Sequence, residues 1–387
     1  MTPHARGFPT AEFAERTRKA QSIMEGAGLS ALLLTTEPEI RYYTGFLTRF
    51  WESPTRPWFA VVPAKGTPIA VIPSIGAHLM GQTWITDIRT WQAPDYDDDG
   101  IALLVDTLSE HTPPGGSIGI ADAMESYVRM PLGDLRSLEQ KLGSRRLVSD
   151  MQITRRLRLT KSEAEISKIR TAANIADRAF DRVPEIARTG TPLSEVFRRF
   201  QALCLEEGAD WVPYLAGASN QGGYGDVISP ATDVPLAQGD VLMLDTGLVH
   251  DGYFCDFDRN FSIDAPSTEV QDAHARLIDA TQAGFDAARS GAAISDLFHA
   301  MNTIANPGGE AMEVGRLGHG LGMQLTEWPS IIVADHTPLN PGMVLTLEPS
   351  VSLGDGRIMV HEENIVVRET GAEWLSSPQG PAIRVLK

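Results

Sequence analysis

The sequence predicts an α/β unit followed by a larger α+β unit, and three observations predict it. At 387 residues the chain is too long for one ordinary hydrophobic core. Residues 1–155 alternate helix-spaced and strand-like apolar runs, the pattern of a mixed α/β domain. Residues 156–387 open with two amphipathic stretches and then become strand-rich, which places helices around an antiparallel sheet.

The first unit reads in order. "FAERTRKAQSIMEGAGL" (13–29) has helical spacing and ends in glycine, and "SALLLTT" (30–36) then reads as a buried strand. "WFAVVPA" (58–64) and "TPIAVIPS" (67–74) are strand-like runs separated by a Lys-Gly turn. "ITDIRTW" (85–91) and "SIGIAD" (117–122) read as further strands, and "YVRMPLGDLRSLEQKLG" (127–143) as a helix.

The second unit opens with "LTKSEAEISKIRTAANIADRAFDRV" (159–183), in which Thr160 and Glu163 form a capping-box pattern. Ile166, Ile169, Ala173, Ala176 and Phe180 follow at steps of three and four and make one apolar stripe. "LSEVFRRFQALCLEEGA" (193–209) is a second amphipathic stretch. "DVLMLDTG", "GYFCDFDRNFSI", "MVLTLEPSV" and "IMVHEENIVV" read as strands, and "STEVQDAHARLIDATQAGFDAARSG" is a helix that separates the first two from the rest.

Composition narrows the class. Hydrophobic and charged contents of 42% and 21% read as soluble and globular. A net charge of −17 argues against sequence-independent nucleic-acid binding and against docking to acidic membranes. Cys204 and Cys255 are too few for a disulfide framework and suit a reducing compartment. "MTPHARGFPTAEFAERTRKA" has no apolar core of signal-peptide length, and runs such as "SALLL" are too short to span a bilayer, so a cytoplasmic protein is expected.

Asp245 and Asp256 lie eleven residues apart in "MLDTGLVHDGYFCDFDR" (243–259), on either side of a turn signal. A turn centred on His250 and Asp251, with Gly252 helping it close, would set Asp245 directly opposite Asp256 on one face. Two carboxylates so close repel unless one is protonated or a cation bridges them. A wet hairpin with two exposed acids is the alternative. Three later residues bear on the choice. His319 sits between glycines in "RLGHGLG", Glu348 ends the apolar run "VLTLEPS", and Glu362 lies inside "IMVHEENIVV". Each has its ordinary reading: a loop histidine, an acid before a proline turn, an exposed edge residue. Five such residues in the order Asp, Asp, His, Glu, Glu are hard to dismiss together.

With these motifs assembled, the chain resembles the pita-bread metallohydrolases, the group of aminopeptidase P, prolidase, methionine aminopeptidase and creatinase. The matching segments are "GDVLMLDTG", "GYFCDFDR", "GHGLG", "LEPS" and "HEENIVV". "ALLLTTEPEIRYYTGF" is similar to the creatinase-type domain that precedes the catalytic one, and "RLRLTKSEAEISKIRTAANIAD" to the family's linker helix. The resemblance implies a curved antiparallel pita-bread sheet and a centre of two divalent metal ions. Asp245 would bind one ion and Asp256 would bridge both. His319 and Glu348 would complete the second ion's shell, and Glu362 would bridge. Oxygen ligands with one imidazole favour Mn²⁺, with Zn²⁺, Co²⁺ or Fe²⁺ as alternatives. Such a pair activates water and polarises the carbonyl under attack. Glu348 stands where the family's proton shuttle is placed.

The match breaks at two points. Peptidases of this family usually carry a histidine about eleven residues before the metal strand; here that position is Ile228, and Tyr224 and Asp226 are the nearest polar residues. The family histidine after "GHG" is replaced by Thr326, although Glu327 and Pro329 remain. Asp258 stands where threonine is common, as a residue that tunes the site or one that hydrogen-bonds Arg259. The expected function is a dinuclear-metal hydrolase cleaving an amide bond, Xaa-Pro peptidase-like. The alternative is a non-peptidase relative, of creatinase, ectoine-hydrolase or lyase type, acting on a small metabolite. A small peptide or small molecule is therefore the expected substrate. Tyr224, Asp226, Thr326 and Trp328 are the expected pocket residues. Arg49, Trp51 and Arg56 of "RFWESPTRPWF" (49–59) are expected to anchor a carboxylate from a covering loop of a homodimer, or else to pack beneath that loop.

Overall fold

A computed structural model describes residues 6–53, 56–308 and 315–387. The chain divides into two units, Met1–Arg158 and Leu159–Lys387.

In the first unit, apolar runs become the sheet and amphipathic runs cover it. Helix α1 (Thr10–Ala27) stops where Gly28 takes a left-handed conformation and returns its N–H to Met24 and Glu25. Strand β1 (Leu29–Leu34) follows, then α2 (Glu37–Thr44), β2 (Phe59–Pro63), β3 (Ile69–Pro73), the short α3 (Ala77–Met80) and β4 (Asp87–Trp91). Helix α4 (Ile101–His111), β5 (Ser117–Ile120), α5 (Leu132–Lys141), β6 (Arg146–Ser149) and α6 (Ile153–Leu159) complete the run. Among the described residues the strands form one sheet in the order β4-β3-β2-β1-β5-β6. Leu33, Val61, Val71 and Ile118 of the sheet pack with Leu104 and Leu108 of α4 and Leu138 of α5.

The second unit starts with α7 (Glu163–Asp181). Its capping box is made by Ser162 and Glu165, two residues later than the sequence pattern places it. Thr160 is still extended there, bridged to Met343, and Lys161 N donates to Gly342 O, so the helix cannot begin sooner. Next come α8 (Leu193–Glu206), β7 (Trp211–Gln221), β8 (Asp240–His250), β9 (Tyr253–Phe254), β10 (Phe257–Ile263), α9 (Thr268–Ala287) and α10 (Ile294–Ala305). The strands β11 (His319–Gly320), β12 (Glu327–Ser330), β13 (Val344–Leu347), β14 (Ser350–Ser352), β15 (Ile358–Val360), β16 (Glu363–Arg368), β17 (Gly371–Trp374) and β18 (Arg384–Leu386) follow. Among the described residues one sheet runs β18-β10-β8-β7 and another β12-β11-β13-β16-β17.

Alternation decides which face of each strand is polar. Leu242, Leu244 and Leu248 of β8, with Phe257 and Phe261 of β10, pack beneath Ala173, Ala176 and Phe180 of α7 and Phe200 of α8. Asp245 and Asp258 belong to the opposite face. In the other sheet, Leu345, Leu347, Ile365 and Val367 pack with Leu297 and Met301 of α10. Thr346 and Asn364 therefore take the face away from that core. The two polar faces meet, and the bonds between them, described next, build the site.

Candidate metal centre

The hairpin comes first. Asp251 and Gly252 both have positive φ, 48° and 79°, which makes a two-residue type I′ turn, the conformation that Asp-Gly favours. His250 pairs with Tyr253 across it, and the same register carries Asp245 opposite Asp258. The sequence expectation of Asp245 facing Asp256 is thus corrected by two residues. An even shift preserves the face, so both acids of β10's leading edge still share a side with Asp245. The tip is held by α7: Lys168 forms a buried ion pair with Asp251, and the Tyr253 hydroxyl donates to Glu165 at 2.9 Å.

His319 is brought in by a strand that only glycine permits. A Cβ on Gly318 would lie 2.2 Å from the Thr346 carbonyl oxygen, and one on Gly320 would lie 2.5 Å from that of Trp328. The backbone threads between these neighbours and carries the imidazole into the acids. Asp256, His319 and Glu362 converge, with one ligand atom of each inside 4.8 Å of the others, and all three are buried. His319 Nε2 lies 3.4 Å from Asp256 Oδ2 and 3.9 Å from Glu362 Oε1. Asp245 is 9% exposed, and its charge couples to those of Asp256, Asp258 and Glu348. Glu348 follows β13, half-buried, its N–H donating to Leu317 O at 3.0 Å. Burial raises the Glu348 carboxyl to about 7, with Asp256 adding to the shift and His319 opposing it. Burial also pushes Asp245, Asp256 and Glu362 well above the usual carboxylate range, and their mutual repulsion adds to it for Asp245 and Glu362.

Two observations test whether these residues fit a metal. Asp245 Oδ1, Asp256 Oδ1 and Glu362 Oε1 are buried with no hydrogen-bond partner in the protein. Buried lone carboxylate oxygens are costly unless a cation or donor reaches them. His319 Nδ1 lies 2.8 Å from Gly320 O, which can only accept, so Nδ1 carries the proton. Nε2 faces the carboxylates of Asp256 and Glu362, an orientation that suits a metal ligand whose other nitrogen is tied to a carbonyl. The residues fit.

A layer behind them fixes their backbone. Asp256 N donates to Asn364 Oδ1 at 3.0 Å, and Asn364 Nδ2 returns a bond to Asp256 O. Asn260 Nδ2 donates to Val360 O at 2.6 Å. His361 lies between Asp258 and Glu363, 3.3 and 3.2 Å away. Burial opposes charge on that imidazole, but bonds to the two acids prevail and raise its pKa. Arg259 pairs with Glu363 at 3.1 Å and donates to the backbone carbonyl of Asp258, while the Asp258 carboxylate accepts from Glu362 N instead of from the Arg259 side chain.

The expected pocket residues separate. Tyr224 is fully buried; its hydroxyl donates to Asn260 Oδ1 and accepts from Val360 N. Asp226 is exposed and accepts from Ile228 N, Ser229 N and Ser229 Oγ within its own turn. Thr326 is exposed and accepts from Arg316 at 3.3 Å, while Trp328 is half-buried in β12. In the first unit, Arg49 pairs with Glu52 at 2.8 Å, and Trp51 packs on Trp58 with Arg129 bonding its carbonyl at 3.1 Å. Arg129 also holds the Arg56 carbonyl at 2.9 Å, and Pro54 and Thr55 of that tract lie outside the described residues. Sequence reading missed Tyr214, on a β7 with no alternating pattern, whose hydroxyl sits against Asp245. It also missed the role of His361 and Asn364, although both flank Glu362 in "HEEN".

Two facing sheets that close on a buried basket of acids and one imidazole define a metal-dependent hydrolase. The chain belongs to metallopeptidase family M24, whose model matches residues 167–369, and the creatinase/prolidase N-terminal domain matches residues 16–160. It is 28% identical over 371 residues to a probable dipeptidase PepE of Mycobacterium tuberculosis, covering 95% of each chain. The crystal structure of dipeptidase PepE from Mycobacterium ulcerans shares 28% identity with it, at a TM-score of 0.84 over 98% of this chain and 99% of that one. An X-Pro aminopeptidase from Thermotoga maritima, 24% identical, has the same fold, at a TM-score of 0.81 over 96% and 99% of the two chains. The protein is a pita-bread metallohydrolase with a creatinase-type N-terminal domain, and its chemistry is metal-dependent hydrolysis of an amide bond.

Proposed function

We propose that this protein is a dipeptidase acting on small Xaa-Pro peptides in the cytoplasm, as a homodimer, with two Mn²⁺ ions. The carrying observation is the set of buried, partnerless oxygens on Asp245, Asp256 and Glu362, gathered with the His319 imidazole. Asp245, Asp256, His319, Glu348 and Glu362 would hold the ions. When bound, the ions supply Lewis acidity and a water acidified toward neutral pH. Their positive charge also relieves the repulsion that burial imposes on the acids.

The chain's own residues do the remainder. Glu348 accepts the proton of the attacking water and delivers it to the leaving amine. Tyr214 steadies Asp245. Thr326 and Trp328, close in sequence to His319, line the substrate side, with Arg316 bound to Thr326. A small substrate agrees with the relatives named as dipeptidases, and two free, buried cysteines agree with a reducing compartment.

The test is metal content and turnover on the full chain. Protein stripped of metal and reloaded with Mn²⁺ should carry two ions per chain and hydrolyse Ala-Pro. Less than one ion per chain, or no turnover of any Xaa-Pro dipeptide, overturns the proposal.

A further inference from the structure

Two hairpin side chains, Asn260 and Asp258, bond the backbone at 360 and 362 of the segment that carries Glu362, and the side chain of Asn364 bonds back to the hairpin's backbone at Asp256. Asn260 bonds Val360 O, the Asp258 carboxylate accepts from Glu362 N at 3.1 Å, and the Asp256 peptide is clamped by Asn364. The order is antiparallel and the step is constant, so the rungs form a ladder joining the two polar faces. Asn260 and Asn364 are fully buried and Asp258 is 1% exposed. Two rungs touch amides of cluster residues: Asn364 takes that of Asp256, and the Asp258 carboxylate takes that of Glu362.

We propose that Asp258 is a positioning residue for the metal centre, setting Glu362 through its backbone N–H, with the His361 imidazole in ion-pair range of the carboxylate. This rests on reading the acids as a metal site. The arrangement explains why a further acid is retained beside four others. Asp258 Oδ1 takes the Glu362 amide and lies 3.3 Å from His361 Nδ1. His361 Nε2 is in turn fixed 3.2 Å from Glu363, which is held by Arg259 and by Gln379 N at 3.2 Å. A carboxylate tethered at this end cannot rotate without breaking a buried bond. The peptide that orients Glu362 is therefore locked before any ion arrives, which is the role outer partners of metal ligands perform.

The experiment titrates Mn²⁺ alone into the metal-free full chain by calorimetry and records the melting temperature without metal. Asp258→Ala should weaken at least one binding step by about 10–100-fold. The double variant Asp258→Val/His361→Leu, which leaves neither an oxygen for the Glu362 amide nor an unpaired imidazole should the single variant fail to fold, should lose affinity to the same degree. Asp258→Asn, which keeps an oxygen for the Glu362 amide, should stay within about fivefold of the parent. Lowered melting temperature with unchanged Mn²⁺ affinity would show a purely structural residue and overturn the proposal. So would an Asp258→Asn variant as weak as Asp258→Ala, since charge rather than placement would then be the cause. A parent chain that binds no Mn²⁺ sinks the metal reading itself, a result separable from either.

Discussion

Strands β2 and β8 are both buried from end to end, yet they hold opposite kinds of cargo. β2 buries Phe59, Ala60, Val61 and Val62, where removal from water is itself the stabilising term. β8 buries Asp240 and Asp245 among leucines. Those two acids differ again. Asp240 accepts from Ala237 N, Ser219 Oγ and Gln221 Nε2, so the protein meets its needs. Asp245 keeps an oxygen with no protein donor. Burial alone therefore does not mark a functional acid. A carboxylate that the fold buries and then leaves without a donor does, because stability alone would have removed it.

The comparison can be broken most directly at Glu348, the proposed proton carrier. Glu348→Gln should lower kcat about 10²–10⁴-fold with KM little changed, measured on Ala-Pro. If kcat holds, the proton-transfer role fails. Next in size is the apolar side of the contrast. Leu33→Ala, in the first unit's core, should cost about 2–5 kcal/mol of stability by denaturant titration while Mn²⁺ binding per folded chain stays the same.

A smaller effect belongs to His274, fully buried behind the site and bonded to Gly380 O at 3.2 Å. Burial, with His361 nearby, lowers its pKa to about 4. The unfolded chain then takes up this proton below pH 6.5 while the folded chain refuses it until about 4, so stability falls as pH drops through that window. His274→Gln should remove roughly 2 kcal/mol of that acid sensitivity, read as the difference in unfolding free energy between pH 7.5 and 4.5. Smallest is the exposed Arg49–Glu52 pair. Arg49→Ala should shift stability by less than about 0.5 kcal/mol, and a raised KM for Ala-Pro would support the covering-loop role.

Much of the site was legible because its residues stand where their types are unusual. An acid inside an apolar strand or a histidine between glycines is conspicuous in one dimension. The register was misread because Asp251-Gly252 was given to the wrong turn centre, although Asp-Gly is itself the type I′ signal. The capping box slipped for another reason: Thr160 is drawn into a bridge with Met343, a partner almost two hundred residues away. Strand β7 escaped because pairing with β8, rather than its own alternation, makes it a strand.

The sequence by itself determined the two units, the helices with regular stripes, the buried strands and the small set of residues able to grip a cation. Chain composition and spacing suffice there, since periodicity and residue type act locally. Only the tertiary structure decided which acids are satisfied and which are not. Donors for both oxygens of Asp240 arrive from other strands and loops, whereas none arrives for Asp245 Oδ1, Asp256 Oδ1 or Glu362 Oε1. A hydrogen bond depends on where two distant segments meet in space, and that meeting is set by the packing of the two sheets.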